Sequence, residues 1–215
     1  RSTAYYRLFA APRPEWSGIA PGCSHPHANP RRDAMHTVKR QREQLAKAGI
    51  DSVGEADFSW LDGDISAFTP GEKPYVLLVP GGSAHRPEKR WPARAYGELA
   101  AQLVAVGYRP VLIGASAERD VLGEICQHCA EALNLCGRTD FGQIAALARR
   151  AAAAVGNDTG PMHIVAALGC RATVLFSAAS DPALTAPRGP HVQLIQHARL
   201  DDLPVGDVRA ALTLP

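Results

Sequence analysis

The stretch from Ala154 to His163 constrains the fold more than any other, because its pattern indicates a strand, a tight turn and a helix in succession. The residues before the turn are small and apolar, as expected at the end of a buried strand. Pro161 stands near the first position of the helix and Gly169 just past its end, an asymmetry typical of helices. The first turn of such a helix presents unpaired N–H groups and the positive end of its dipole, which favour a phosphate group.

The turn itself carries three residues suited to a ligand. Thr159 adds a hydroxyl donor, and Gly160 lets a ligand approach the backbone closely. Asp158 would repel a phosphate and suits neutral hydroxyl groups, such as those of a sugar. The alternative is that Asp158 only caps the helix, as aspartate often does.

From Lys73 onward, strand and helix patterns alternate. The predicted strands cover residues 75–79, 110–114, 151–155, 172–176 and 192–195, and predicted helices begin at Pro92, Glu118, Thr139 or Asp140, Pro161 and Leu203. Alternation at this spacing indicates an α/β fold with parallel strands and right-handed crossovers. In an open parallel sheet the ligand binds beyond the carboxyl ends of the strands, so the loops there are the candidate site.

The first 66 residues differ from the rest. Two short strands are predicted at 5–10 and 16–20, a polar loop at 21–33 and a charged helix at 35–49 with few apolar positions. Residues 51–73 have the composition of a linker. We therefore expect residues 1–66 to be the end of one domain with its linker, and residues 67–215 to form a second domain.

Composition excludes several classes of protein. The formal net charge is +2 and basic residues are scattered, so nucleic acid is not expected as a partner. No apolar run approaches the roughly 18 residues of a membrane span, and no signal peptide is visible. Five cysteines without regular spacing favour a reducing compartment, and hence a cytoplasmic location.

The loop after the first strand of the alternating region, residues 81–92, has glycines, Ser83 and three cations, Arg86, Lys89 and Arg90. These groups suit a diphosphate, although a solvated surface loop would have the same composition. The loop matches neither the GxGxxG nor the Walker pattern, which argues against a nicotinamide dehydrogenase and P-loop chemistry.

Glu118 and His163 are weaker candidates. A carboxylate at the position of Glu118 can accept hydrogen bonds from ribose hydroxyls, but an acid in a first helical turn is also favoured by the helix dipole. A histidine on a first turn, such as His163, is more often structural than catalytic.

No metal site is predicted. The pair Cys126 and Cys129, with Cys136 nearby, lies within a predicted helix and lacks a second pair, which argues against zinc. Cys23, His25 and His27 are better explained by a flexible polar loop than by a metal cluster.

Taken in order, these motifs resemble glycosyltransferase family 9, the ADP-heptose:lipopolysaccharide heptosyltransferases. The resemblance covers about residues 74–215 and rests on the sequences at 89–92, 114–118, 157–163 and 180–189. It implies a GT-B-like architecture, in which the C-terminal Rossmann-like domain binds the nucleotide sugar and the N-terminal domain binds the acceptor.

The resemblance also implies roles for single residues in donor binding. Lys89 would contact the phosphates or the sugar, and Glu118 the ribose. Asp158 would hold sugar hydroxyls. The other implied donor-binding residues are Ser83, Thr159, Gly160 and His163.

The implied reaction transfers heptose, or a related sugar, from an ADP-sugar to a lipopolysaccharide core acceptor, with inversion and without metal or cofactor. The acceptor would bring the protein to the inner face of the inner membrane. The family's catalytic base lies early in the N-terminal domain, in a stretch that we expect to be missing here, so no base is assigned. Two alternatives remain open: another GT-B sugar-nucleotide enzyme, such as an epimerase, or a non-catalytic nucleotide-binding domain.

Overall fold

The computed structural model describes residues 6, 8–68, 73–83 and 85–215. The chain forms two compact units. The first comprises residues 1–56 with 183–185, and the second comprises residues 57–182 with 186–215.

The first unit contains little regular structure. Strands β1 (Ser17–Gly18) and β2 (His25–Pro26) form a parallel pair, and helix α1 spans Thr37–Ala46. The side chain of His36 caps α1 by accepting a hydrogen bond from the backbone N–H of Val38. The strand predicted at 16–20 and the helix predicted at 35–49 are thus confirmed in shortened form.

The strand predicted at 5–10 and the polar loop predicted at 21–33 differ from the structure where it describes them. The strand predicted at 5–10 lies partly outside the described residues, and residues 8–10 are not in a strand. Strand β2 falls within the predicted polar loop and was missed, because a two-residue strand has no periodicity of its own.

The second unit is built on a sheet of six parallel strands in the order β5-β4-β3-β6-β7-β8. The strands are β3 (Tyr75–Val79), β4 (Arg109–Leu112), β5 (Leu133–Asn134), β6 (Ala153–Asn157), β7 (Ala172–Ser177) and β8 (Val192–His197). The remaining helices are α2 (Ala93–Ala105), α3 (Arg119–His128), α4 (Phe141–Arg150), α5 (Gly160–Ala167), α6 (Pro182–Thr185) and α7 (Val205–Ala211). The predicted α/β class with a parallel sheet is confirmed.

Apolar residues cover both faces of this sheet. Leu77 and Val79 of β3 pack into one layer together with Ile144 of α4. Val76 and Leu78 point to the opposite layer, which contains Leu99 and Leu103 of α2. A strand buried on both faces needs a continuous apolar sequence, which is why the run at 75–79 predicts β3 correctly.

The sequence predicts a helix from Glu118 to Leu133, and the last five residues of this prediction are wrong. Helix α3 ends at His128, because Cys129 has extended backbone angles (φ −146°, ψ 95°). The chain then turns back, and Leu133 pairs with Val111 of β4 to form β5. The apolar positions that suggested a longer helix are used by this strand pairing instead.

The boundary between the units also differs from the expected one. Residues 57–66 belong to the second unit. The guanidinium of Arg149 on α4 donates to the carbonyl oxygens of Phe58 and Leu61 at 2.7 and 2.6 Å. The end of the expected linker is therefore part of the packed α/β unit.

The strand order creates a switch point between β3 and β6. From β3 the chain proceeds to β4 and β5 on one side, whereas from β6 it proceeds to β7 and β8 on the other. The crevice beyond the carboxyl ends of such a strand pair is where doubly wound sheets bind ligands. None of the described helices is both long and apolar enough to cross a membrane.

Candidate ligand site at the sheet switch point

An ion pair joins the two loops that leave the switch point. Lys89, in the loop after β3, donates from Nζ to Oδ2 of Asp158, the residue after β6, at 2.7 Å. The two side chains are only 15% and 8% exposed. Asp158 does not cap α5, since the N-cap residue is Thr159. The capping explanation of Asp158 is therefore wrong.

Glu118 ties the first loop to the loop after β4. Its Oε1 accepts from the backbone N–H of Gly82 and its Oε2 from that of Ala115, both at 2.8 Å. A β-carbon on Gly81 would lie 2.0 Å from Oε1, so only glycine allows this close approach. Each carboxylate oxygen keeps a second acceptor position, which leaves Glu118 able to accept a further hydrogen bond.

The glycine loop after β3 is held by protein groups. The N–H of Gly82 is bound to Glu118, and its carbonyl accepts from the guanidinium of Arg90 at 2.6 Å. Arg86 donates to the carbonyl of Ala179. The sequence predicts that the glycines, Ser83 and the cations of this loop suit a diphosphate. The N–H of Gly82 is not available to such a ligand, because it is bound to Glu118.

A cavity of about 560 Å³ opens between the loops after β3, β4, β5 and β6. Apolar residues form much of its lining, including Val79, Ile113 and Ile144, with Phe141 at its edge. Glu118 and Thr159 contribute polar groups to the same lining. The cavity thus combines a mainly apolar lining with a few polar groups, which is the usual composition of small-molecule sites.

The first turn of α5 lies beside this cavity. The Thr159 side chain makes no capping hydrogen bond to the helix. A β-carbon added to Gly160 would meet nothing within 4 Å, so the backbone there is open to approach. Pro161 is the second residue of the helix, as the sequence predicts, and His163 is exposed on the first turn.

Most of the predicted site residues lie at one edge of the sheet. Lys89, Glu118, Asp158 and Thr159 lie at the carboxyl edge of the sheet, and direct hydrogen bonds or a shared cavity link them in pairs. Ser83 is exposed in the loop after β3. The roles of these residues in donor binding stay predictions.

Asn157 is the residue that sequence reasoning overlooked. It is fully buried at the end of β6, and its side-chain amide makes four hydrogen bonds to the loop after β3 and to α2. A polar residue extending the apolar run at 151–155 was the available signal, since buried amides need partners. The predicted strand ended at Val155, which placed Asn157 in the turn instead.

The cysteine and histidine candidates have separate partners. Cys23 donates to the carbonyl of Gly18, His25 pairs with Glu15, and the Nε2 atom of His27 lies 3.2 Å from Oε1 of Glu43. All five cysteines are free thiols. Within the described ranges, no three His, Cys, Asp or Glu side chains cluster in a way that could hold a metal ion.

The sheet order defines a Rossmann-like α/β protein, and its candidate ligand site lies at the switch point between β3 and β6. Residues 21–204 match the model of glycosyltransferase family 9 (heptosyltransferase), and the chain belongs to this family. It is 34% identical to lipopolysaccharide heptosyltransferase 2 of Salmonella typhimurium over 149 residues, which are 67% of this chain and 42% of the relative. The Escherichia coli protein of the same name is 35% identical over 150 residues, covering 67% of this chain and 41% of the relative.

A solved structure agrees with the sequence relatives. The E. coli ADP-heptose lipopolysaccharide heptosyltransferase II superposes with a TM-score of 0.70 at 26% identity, over 88% of this chain and 64% of that structure. The GT-B-like fold class is confirmed by this likeness. The chain spans about two fifths of the length of the curated relatives it matches.

Proposed function

We propose that this chain carries the donor site of a heptosyltransferase. The reaction transfers heptose, or a related sugar, from an ADP-sugar to a lipopolysaccharide core acceptor with inversion. One observation carries the proposal: the Lys89–Asp158 pair and the cavity beside Glu118 lie together at the switch point of the sheet. The names of the relatives supply the identity of donor and acceptor.

The cavity suits the adenosine part of the donor. The apolar lining of the cavity gives the flat adenine ring a surface on which to pack. Phe141 belongs to this lining and its side chain is 65% exposed. Glu118 has acceptor positions left for ribose hydroxyls, because each of its oxygens accepts only one backbone N–H within the protein. Adenosine in this position places the diphosphate near the first turn of α5.

The first turn of α5 and Lys89 suit the diphosphate. The backbone N–H groups of Thr159 and Gly160 stand at the start of α5, and the helix dipole behind them favours negative charge there. Lys89 supplies a full positive charge, and Asp158 beside it can accept hydrogen bonds from sugar hydroxyls. Ser83 and His163 complete the proposed set from the first loop and from the helix.

The proposed chemistry at this site is assistance to the leaving group. As the bond between sugar and diphosphate breaks, negative charge grows on the diphosphate. Fixed N–H dipoles and a lysine stabilise that charge without reorganising, which is an effective form of catalysis and needs no metal. We assign no general base to this chain.

The proposed acceptor sets where the protein would act. Lipopolysaccharide core acceptors are attached to lipid, so a peripheral contact with the inner face of the inner membrane is part of the proposal. A cytoplasmic location fits an ADP-sugar donor and five free thiols.

A thermal shift assay with ADP, UDP and NAD tests the donor assignment. ADP at about 100 times its dissociation constant should stabilise the protein by roughly 2.7 kcal/mol, and UDP and NAD should have much smaller effects. Asp158→Ala and Lys89→Ala should weaken the response to ADP-heptose, because they remove the groups proposed for the sugar and the diphosphate.

Other results would select an alternative. A larger shift with UDP than with ADP would favour a different GT-B sugar-nucleotide enzyme. ADP binding without any transfer to a lipopolysaccharide core, in a protein that includes the complete acceptor-binding part, would favour a non-catalytic nucleotide-binding domain. Lys39→Ala, in the first unit, is the control and should leave the ADP response unchanged.

A further inference from the structure

The side chain of Asn157 connects three separate segments of the second unit. Its Oδ1 accepts from the backbone N–H of Trp91 and from the hydroxyl of Tyr96, both at 3.1 Å. Its Nδ2 donates to the carbonyl oxygens of Pro80 and Gly81 at 2.7 and 3.1 Å. A carboxamide offers two N–H donors and two acceptor positions, so all of its hydrogen-bonding capacity is used.

These bonds fix both ends of the loop after β3. Pro80 and Gly81 begin the loop, and Trp91 ends it, so one amide group holds entry and exit together. Lys89 precedes Trp91 by two residues, and Asp158 directly follows Asn157 in the chain. The two members of the ion pair are thus tied, through short stretches of backbone, to the same side chain.

We infer that Asn157 is a positioning residue, whose amide sets Lys89 against Asp158 by joining the end of β6 to both ends of the Gly81–Trp91 loop. No other side chain of similar length supplies the same bonds. Aspartate lacks the two donors that Pro80 and Gly81 require, and serine offers a single O–H donor from a shorter side chain. The consequence for donor binding rests on the function proposed above, whereas the geometric claim does not.

Removing the amide should leave the fold in place. The indole N–H of Trp91 donates independently to the carbonyl of Leu203 at 3.0 Å. The Trp91 ring packs edge-on against the Tyr96 ring, with 4.8 Å between the ring centroids. Trp91 is 1% exposed, so its ring stays anchored by packing. A variant at Asn157 therefore loosens the backbone of the loop more than it disturbs the core.

The first test uses the protein without ligand. Lysine acetylation with a trace of acetic anhydride, followed by mass spectrometry, measures how well Lys89 is protected, with exposed Lys39 as internal reference. Asn157→Ser should raise the rate at Lys89 several-fold, toward the rate in Asp158→Asn. Lys89 remaining as protected in Asn157→Ser as in the wild type would overturn the inference.

Two tyrosines provide a matched pair in case Asn157→Ser folds poorly. Tyr96→Phe removes one donor to Asn157, whereas Tyr75→Phe removes a buried hydroxyl that donates to the carbonyl of Leu147 at 2.7 Å, away from the loop. Each change deletes one buried hydroxyl donor, and the Tyr96 hydroxyl also contacts the carbonyl oxygen of Val79 at 3.5 Å. Only Tyr96→Phe should speed the acetylation of Lys89, and equal rates in the two variants would contradict the inference.

The second test asks whether the positioning matters for binding, through a double-mutant cycle with ADP-heptose. If Lys89→Ala lowers affinity about tenfold in the wild type, it should lower it by less than about threefold in Asn157→Ser, because Lys89 is no longer in place. A purely structural Asn157 would give equal factors in both backgrounds. Failure of the wild-type protein to bind any ADP compound would reject the proposed function, while the acetylation rates would still decide the role of Asn157.

Discussion

The two compact units differ in what holds them together. Among the described residues of the first unit, His27 is the only buried side chain. Polar contacts connect its elements, such as the 2.6 Å hydrogen bond from Asn29 to Glu43 and the bond from Gln44 to the carbonyl of Ser17. The second unit has two apolar layers around a six-stranded sheet.

This difference explains why the candidate site is built in the second unit. A binding site must hold its groups within about half an ångström of their working positions, which requires supports that cannot move. Asp158 follows a strand of five buried residues, and Lys89 lies two residues before a buried tryptophan. The first unit has no comparable apolar support among its described residues.

The largest expected effect is on the free energy of unfolding, in a comparison of one leucine from each unit. Leu99 is fully buried in α2, and Leu45 on α1 is 37% exposed. Leu99→Ala should lower the free energy of unfolding by about 2–5 kcal/mol, because it leaves a cavity in a packed layer. Leu45→Ala should change it by less than about 0.5 kcal/mol. Urea denaturation measures both, and equal losses would show that the first unit has a core of its own.

A glycine on each side of the boundary tests where the second unit begins. A β-carbon on Gly63 would lie 2.6 Å from the backbone nitrogen of Gln143 in α4, whereas one on Gly54 would meet nothing within 4 Å. Gly63→Ala should cost about 1–3 kcal/mol of unfolding free energy through overpacking. Gly54→Ala is the matched control and should stay within about 0.5 kcal/mol. If Gly63→Ala left the unfolding free energy unchanged, residues 57–66 would not be packed against the second unit.

Alkaline titration probes the two buried tyrosines of the second unit. Burial raises the pKa of Tyr75 to about 12, and burial raises the pKa of Tyr96 well above its usual value. An acid whose pKa is raised on folding stabilises the protein fully below its unfolded pKa, about 10, and that stabilisation is lost as pH rises above it. Absorbance at 295 nm should show Tyr75 and Tyr96 ionising only as the protein unfolds. Ionisation of all tyrosines near pH 10 in the folded protein would contradict the burial.

The smallest effect is on thiol reactivity, without any change in stability. Burial raises the pKa of Cys170 in the second unit to about 12, and Cys23 in the first unit is half-buried. Because the thiolate is the reactive form, Cys170 should react with a disulfide reagent at pH 8 only when the protein unfolds. Cys23 should react before Cys170 because its side chain is accessible in the folded protein, as peptide mapping of the labelled protein would show. Labelling of Cys170 at the rate of Cys23 would mean that the second unit opens as readily as the first.

The sequence predicts the parts of this molecule that depend on local pattern. The apolar run at 75–79 identifies β3. The helix start predicted at Thr139 or Asp140 is also found, because Asp140 caps α4 in a reciprocal pair with Gln143. Strand β5 was missed because its two residues become a strand only by pairing with β4. Periodicity contains no information about such a partner.

The site shows the same limit. The sequence identifies Lys89, Glu118 and Asp158 as candidates, since each follows a predicted strand. It cannot reveal that Glu118 accepts from Gly82, 36 residues earlier, or that Asn157 bonds to Pro80, 77 residues earlier. Contacts of this kind depend on the strand order, which local patterns do not specify.

A crystal structure of this protein with ADP would show whether the donor nucleotide binds at the switch point of the sheet. We expect adenine in the cavity beside Phe141, the ribose hydroxyls on Glu118 and the diphosphate at the first turn of α5, within reach of Lys89. ADP bound elsewhere, for example in the cavity of about 400 Å³ lined by Arg171 and His191, with the switch point empty, would contradict this expectation.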